Sequence, residues 1–98
     1  MLVLNDWTWD PHKNSRNLAK HGLPLAAGVL VMTGDPDAVS RPDIHPDGDC
    51  WQTIGGAGGI VVLLVVHTDP ADGNQGGRII IVHKANPRER KAYADGCF

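Results

Sequence analysis

Ile60-Val61-Val62-Leu63-Leu64-Val65-Val66-His67 is apolar at every position until its last. A strand with one wet face alternates apolar and polar residues, so an unbroken apolar run reads as a central strand covered on both sides. The rest of the chain is then read as what covers and flanks it. Upstream, Cys50 to Gly55 reads as a strand, joined to the apolar run by a glycine turn through Gly59. Downstream, a glycine-rich connection from Thr68 to Gly77 leads into Arg78 to Lys84, a second β-branched run. The three runs are expected to pair consecutively and antiparallel. Asn86-Pro87 with Glu89 follows at once, a capping-box pattern with proline at the first helical position, and it predicts a C-terminal helix.

Toward the N-terminus, residues 34 to 49 hold three prolines, two glycines and five aspartates, a loop composition with a short strand around Ala38 to Arg41. Leu2 to Trp9 reads as one strand ending at Asp10-Pro11, where aspartate suits a helix N-cap and proline the position after it. The helix that begins there runs to His21 and stops at Gly22, a residue able to take the left-handed conformation. A second helix starts at Pro24, carries Leu25, Val29 and Met32 on one face and ends before Gly34. The predicted fold is α+β: an antiparallel sheet of about four to five strands, two N-terminal helices and one C-terminal helix.

Ninety-eight residues with 42% hydrophobic and 20% charged side chains fit one domain over residues 1–98. A core this small stabilises weakly, which favours a bound partner. The net charge of -2 argues against a dedicated duplex-DNA binder. Charge is nevertheless polarised, acidic from Asp35 to Asp49 and basic through His83-Lys84 and Arg88-Glu89-Arg90-Lys91. Cys50 and Cys97 lie far apart without CxxC spacing, so neither a zinc site nor a disulfide framework is indicated and a reducing compartment is expected. The N-terminus lacks the pattern of a secretory signal, and the apolar run is too short to span a bilayer. A cytoplasmic location with no membrane partner is the expectation.

Three segments together resemble the BrnT family of toxins. They are Trp9-Asp10-Pro11 with Lys13, Asn17 and Lys20-His21-Gly22; Val65-Val66-His67-Thr68; and Arg78-Ile79-Ile80 with Lys84-Ala85, Arg88-Glu89-Arg90 and Tyr93. The resemblance implies a RelE-like fold, ribonuclease activity without a cofactor, and a DNA-binding, BrnA-like antitoxin as partner, through which alone the chain would meet DNA. The chain departs from the family where Ile81-Val82-His83 replaces a usual Ser-Ala-Arg, and where Asp49-Cys50-Trp51 replaces Glu-Arg and an aromatic.

Cleaving RNA without a metal takes a base for the 2′-hydroxyl, cations for the phosphoryl oxygens and an acid for the departing 5′-oxygen. His83, His67, Arg78 and Lys20 are the candidates for catalysis, and Lys84, Arg88 and Arg90 for the RNA backbone. Strict alternation puts Arg78, Ile80, Val82 and Lys84 on one face of their strand and Ile79, Ile81 and His83 on the other. Pairing of the two strands places His67 near Arg78 and about 16 Å from His83, too far to share a metal. No metal is expected.

Each candidate has a plainer reading. His67 is then a strand-end histidine hydrogen-bonded at the surface, Lys20 and His21 complement the helix dipole, and Lys84, Arg88 and Arg90 form a solvated face. Trp7, Trp9 and Trp51 pack rather than stack on a base, Glu89 serves the capping box, and His12 and His45 are exposed. The alternative to an enzyme is a binding module of the same fold that inhibits or regulates a macromolecular partner, as a phage- or plasmid-borne inhibitor would.

Overall fold

A computed structural model describes residues 2–4, 7–43, 50–68 and 77–98. His45, Asp49 and most of the Thr68 to Gly77 connection lie outside the described residues. The elements run β1 (Leu2–Leu4), β2 (Trp7–Trp9), α1 (Pro11–His21), α2 (Ala26–Gly34), β3 (Val39–Pro42), β4 (Cys50–Ala57), β5 (Val61–Thr68), β6 (Ile79–Lys84) and α3 (Pro87–Asp95). Strands β3 to β6 form one antiparallel sheet in the order β3-β4-β5-β6, so the apolar run is an inner strand as expected.

Both faces of β5 are covered. Leu63 and Val65 pack with Leu25, Val29 and Val31 of α2, Ile79 and Val82 of β6, and Trp7 and Trp9. Leu64 and Val66 point the other way, into a second cluster with Ile54 and Ala85 against which Ala92, Tyr93 and Phe98 pack. Alternate side chains of one strand thus supply two cores, which is why the run carries no polar residue before His67. Trp7 and Trp9 are core residues, and Trp51 is half-buried.

The helix ends follow local chemistry. Asp10 caps α1, its carboxylate accepting from the His12 N–H at 2.8 Å, and Gly22 closes the helix at φ 71°. Asn86 and Glu89 form the full reciprocal box, each side chain accepting from the other's backbone N–H at 2.8 Å. Among the described residues no helix is long and apolar enough to cross a membrane.

Four expectations are corrected. Leu2 to Trp9 is not one strand but a hairpin of two, with Leu2 opposite Trp9 and Leu4 opposite Trp7. The hairpin meets the sheet through a parallel bridge between Thr8 and Arg78. The second helix begins at Ala26, two residues after Pro24. Strand β4 runs past Gly55 to Ala57, so Gly56 belongs to it and not to the turn, with Gly55 and Gly56 opposite Leu63 and Val62. A Cβ on Gly55 would stand 2.7 Å from Val31 Cγ1 and 3.0 Å from Ala38 Cβ, so glycine there admits the close approach of α2. The turn itself is Gly58-Gly59, both at positive φ, followed by Ile60, which is 92% exposed.

Last, β6 does not alternate strictly. Val66 pairs with Ile81 and His67 with Ile79, leaving Ile80 as an extra residue. This bulge puts Ile79 and Val82 on the same side, both fully buried, where alternation predicted opposite faces.

Candidate functional site

An edge strand exposes every second backbone N–H and C=O, and β6 is an edge. Helix α1 lies along it, and Asn17, 5% exposed, fills the gap. Its Nδ2 donates to the carbonyls of Val82 and Leu23, each at 2.8 Å, while its Oδ1 accepts from the Val82 N–H at 3.1 Å. One carboxamide thereby does for Val82 what a neighbouring strand would. Asn14, one turn earlier, accepts from the Leu25 N–H at 2.8 Å and ties the helix to the start of α2.

This docking fixes the C-terminal end of α1 beside the C-terminal end of β6. Lys20, His21, His83 and Lys84 line an open cleft there. The two imidazole centroids are 5.4 Å apart with planes inclined at 42°. His83 Nδ1 lies 2.8 Å from the Lys84 carbonyl. A carbonyl only accepts, so Nδ1 carries the proton and Nε2 is the nitrogen left for chemistry. Desolvation holds the His21 pKa below its ordinary value, and the positive charge of His83 and Lys20 lowers it further. His21 is therefore biased toward its neutral form, with a lone pair to accept a proton. A second groove of about 290 Å³ continues along α1, lined by Lys13, Arg16, Asn17, Lys20, His21, Ile80 and Ile81. Among the described residues no carboxylate lines either recess.

The residues singled out from the sequence fall into three places. Lys20, His83 and Lys84 come together in the cleft. His67 and Arg78 sit at the opposite end of β6, where His67 pairs with Ile79 and the Arg78 carbonyl accepts from the Thr68 N–H. His67 is 4% exposed and so is not the surface histidine of the plainer reading. Its Nδ1 donates to the Thr68 carbonyl at 2.9 Å, its Nε2 lies 2.6 Å from Thr53 Oγ1, and Thr53 Oγ1 lies 2.7 Å from Ser40 Oγ. With Nδ1 protonated, a neutral ring accepts at Nε2 from Thr53, and Trp7 packs edge-on against it at 5.4 Å. His67 thus ties β3, β4 and β5 together beneath the hairpin, and the two histidines do not share one site. Arg88 and Arg90 stand on α3 outside the cleft, and Arg90 Nη1 donates to the Ala85 carbonyl at 2.8 Å.

His21, Lys13 and Arg16 were not among the sequence candidates. The spacing Lys13, Arg16, Lys20 puts three cations on one face of a helix and was readable from the sequence. Nothing in the sequence indicates that this face meets His83. Asp35 is a further unpredicted anchor: its carboxylate accepts from the Gly56 N–H at 2.7 Å and the Tyr93 hydroxyl at 2.6 Å, joining α2 to β4 and α3. Those two bonds, the Gly56 one foremost, hold its pKa below the ordinary value.

Residues 9–89 match the family model described as the ribonuclease toxin BrnT of type II toxin-antitoxin systems. The match takes in every residue lining the cleft and the groove. The crystal structure of the Brucella abortus ribonuclease toxin BrnT is similar to this chain with a TM-score of 0.62 and 26% identity, over 81% of this chain and 94% of that one. No curated protein is significantly similar to it in sequence.

Proposed function

Because this chain belongs to the BrnT family of ribonuclease toxins of type II toxin-antitoxin systems, we propose that it is a metal-independent endoribonuclease that cuts single-stranded RNA between α1 and β6. The observation that carries this reading is the pair of imidazoles 5.4 Å apart in a cleft with two lysines and, among the described residues, no carboxylate. Such a set supplies a base, an acid and charge neutralisation without an ion.

The roles follow from protonation. Neutral His21 removes the 2′-hydroxyl proton, and the 2′-oxygen attacks the adjacent phosphorus. His83, protonated on both nitrogens, keeps Nδ1–H on the Lys84 carbonyl and gives the Nε2 proton to the leaving 5′-oxygen. The bond from phosphorus to that oxygen breaks, leaving a 2′,3′-cyclic phosphate and a 5′-hydroxyl. Lys20 and Lys84 offset the charge that builds on the non-bridging oxygens. His67 and Arg78 act at a distance, by fixing the far end of β6.

Family membership also supports neutralisation by a cognate antitoxin, one that binds DNA and so brings the toxin to its operator. Expression without an antitoxin should arrest bacterial growth, and His83→Ala should relieve the arrest while leaving the protein folded. Normal growth with abundant folded wild-type chain would contradict the enzyme reading and favour a binding module on the same fold.

A further inference from the structure

Resting on that reading, we propose that the groove along α1 is the track for the RNA strand leading to the cleavage centre, with Lys13 and Arg16 holding phosphates and Ile80 and Ile81 receiving a base. Lys13 and Arg16 are exposed, and their side chains take part in no hydrogen bond or ion pair with a described residue. Cations left unneutralised along one helix face, above a groove in which no described residue supplies a carboxylate, call for an anionic occupant. Lys13 and Lys20 are seven residues apart, about 10 Å along the axis, so the occupant carries several charges in a row. The floor is apolar: Ile80 is half-buried and packs on one side against the second core, and Ile81 is 38% exposed. A single strand presents that combination, regularly spaced phosphates with unstacked bases free to turn inward, whereas a duplex keeps its bases stacked. The groove and the cleft share Lys20 and His21, which makes the path continuous with the reacting phosphate.

The bulge at Ile80 and the family departure at Ile81 meet here. The extra residue in β6 is what sets both isoleucines along the groove side of the edge. Lys13 and Arg16 are thus positioning residues, one to two turns of α1 from the imidazoles. They should govern binding of a long strand and leave the chemistry alone.

The test is the double variant Lys13→Ala/Arg16→Ala on two substrates, a dinucleotide that occupies only the cleavage centre and a single-stranded RNA of about 12 nucleotides. The expected result is a KM for the longer RNA raised about tenfold at unchanged kcat, with dinucleotide cleavage within twofold of wild type. The slope of log KM against log salt should fall by about 1.4, two phosphates at about 0.7 each. Equal KM and equal slope in the variant, with cleavage intact, would overturn the track while leaving the cleavage site standing. Wild-type protein that cuts neither RNA would overturn the cleavage site. In that case, anisotropy with the same oligomer carrying 2′-deoxy sugars scores the groove by itself: weaker binding in the variant supports it, equal Kd refutes it. Loss of antitoxin affinity in the variant with unchanged RNA constants would assign the groove to an acidic segment of the antitoxin and overturn the proposal.

Discussion

Replacing Asn17 with alanine removes three hydrogen bonds at once and leaves the Val82 N–H, the Val82 carbonyl and the Leu23 carbonyl without their partner. An orphaned buried backbone group costs about 1–3 kcal/mol. Because β6 is an edge, water can enter the vacated space, which sets each group near the lower bound and the total near 3 kcal/mol. For a domain of this length that corresponds to a fall in Tm of about 12–24 °C. Asn17→Asp sharpens the test. It keeps the acceptor for the Val82 N–H but sets a carboxylate against two carbonyls, so at neutral pH it should be at least as damaging as alanine. Below the carboxyl pKa it should recover in part, because a protonated carboxyl donates one bond. Urea and thermal denaturation of wild type and both variants at pH 7 and pH 4 measure all of this. Asn17 also holds Lys20 and His21 against His83 and Lys84, so the alanine variant should lose cleavage beyond its unfolded fraction. A loss below about 1 kcal/mol, with cleavage intact, would refute the claim that Asn17 completes the sheet edge and sets the cleft.

Other outcomes follow from the same contacts. With neutral His21 as base, activity rises as pH climbs through its lowered pKa, so the acid limb of kcat/KM should lie below 6.5. Lys20→Gln should move that limb upward by removing one of the charges that depress it; a limb at or above 6.5 in wild type would exclude His21 from this role. Asp35 has a depressed pKa in the folded state, so its contribution to stability is complete above the ordinary value of 3.8 and is lost as pH falls through the folded value. Tyr93→Phe should therefore destabilise at pH 7, and the gap to wild type should close in acid. Gly28→Ala sets a Cβ 2.9 Å from Val82 Cγ2 and 3.1 Å from Val65 Cγ1; denaturation should show a loss of about 1–3 kcal/mol despite alanine's better helix propensity.

What the sequence discloses is what residues decide among near neighbours. Asp10-Pro11, Gly22 and the Asn86 to Glu89 box announce their helix ends because a cap is made within four residues. The run from Val61 to Val66 announces a central strand because both of its faces are buried. That same uniformity hides which face each residue takes, and His67 consequently read as a surface group when it lies between Thr53 and Trp7. Gly56 read as part of the turn because it continues a run of glycines, and the reason Gly55 beside it is glycine, the approach of Val31 from α2, comes from elsewhere in the chain. The bulge at Ile80 is set by pairing with β5 and leaves no mark in β6 alone. Lys20 and His83 were both legible as candidates, but their meeting depends on Asn17 spanning 65 residues of sequence to Val82. His21 read as a helix-end cation for the same reason: its partner is distant in the chain.

The most direct measurement is cleavage of a single-stranded RNA by purified, antitoxin-free protein in excess chelator, comparing wild type with His21→Ala and His83→Ala and identifying the product ends. Wild type should cleave to 2′,3′-cyclic phosphate and 5′-hydroxyl termini, unaffected by the chelator, with activity reduced about 10²- to 10⁴-fold in each variant. Cleavage that the chelator abolishes, or that both variants retain in full, would contradict this mechanism.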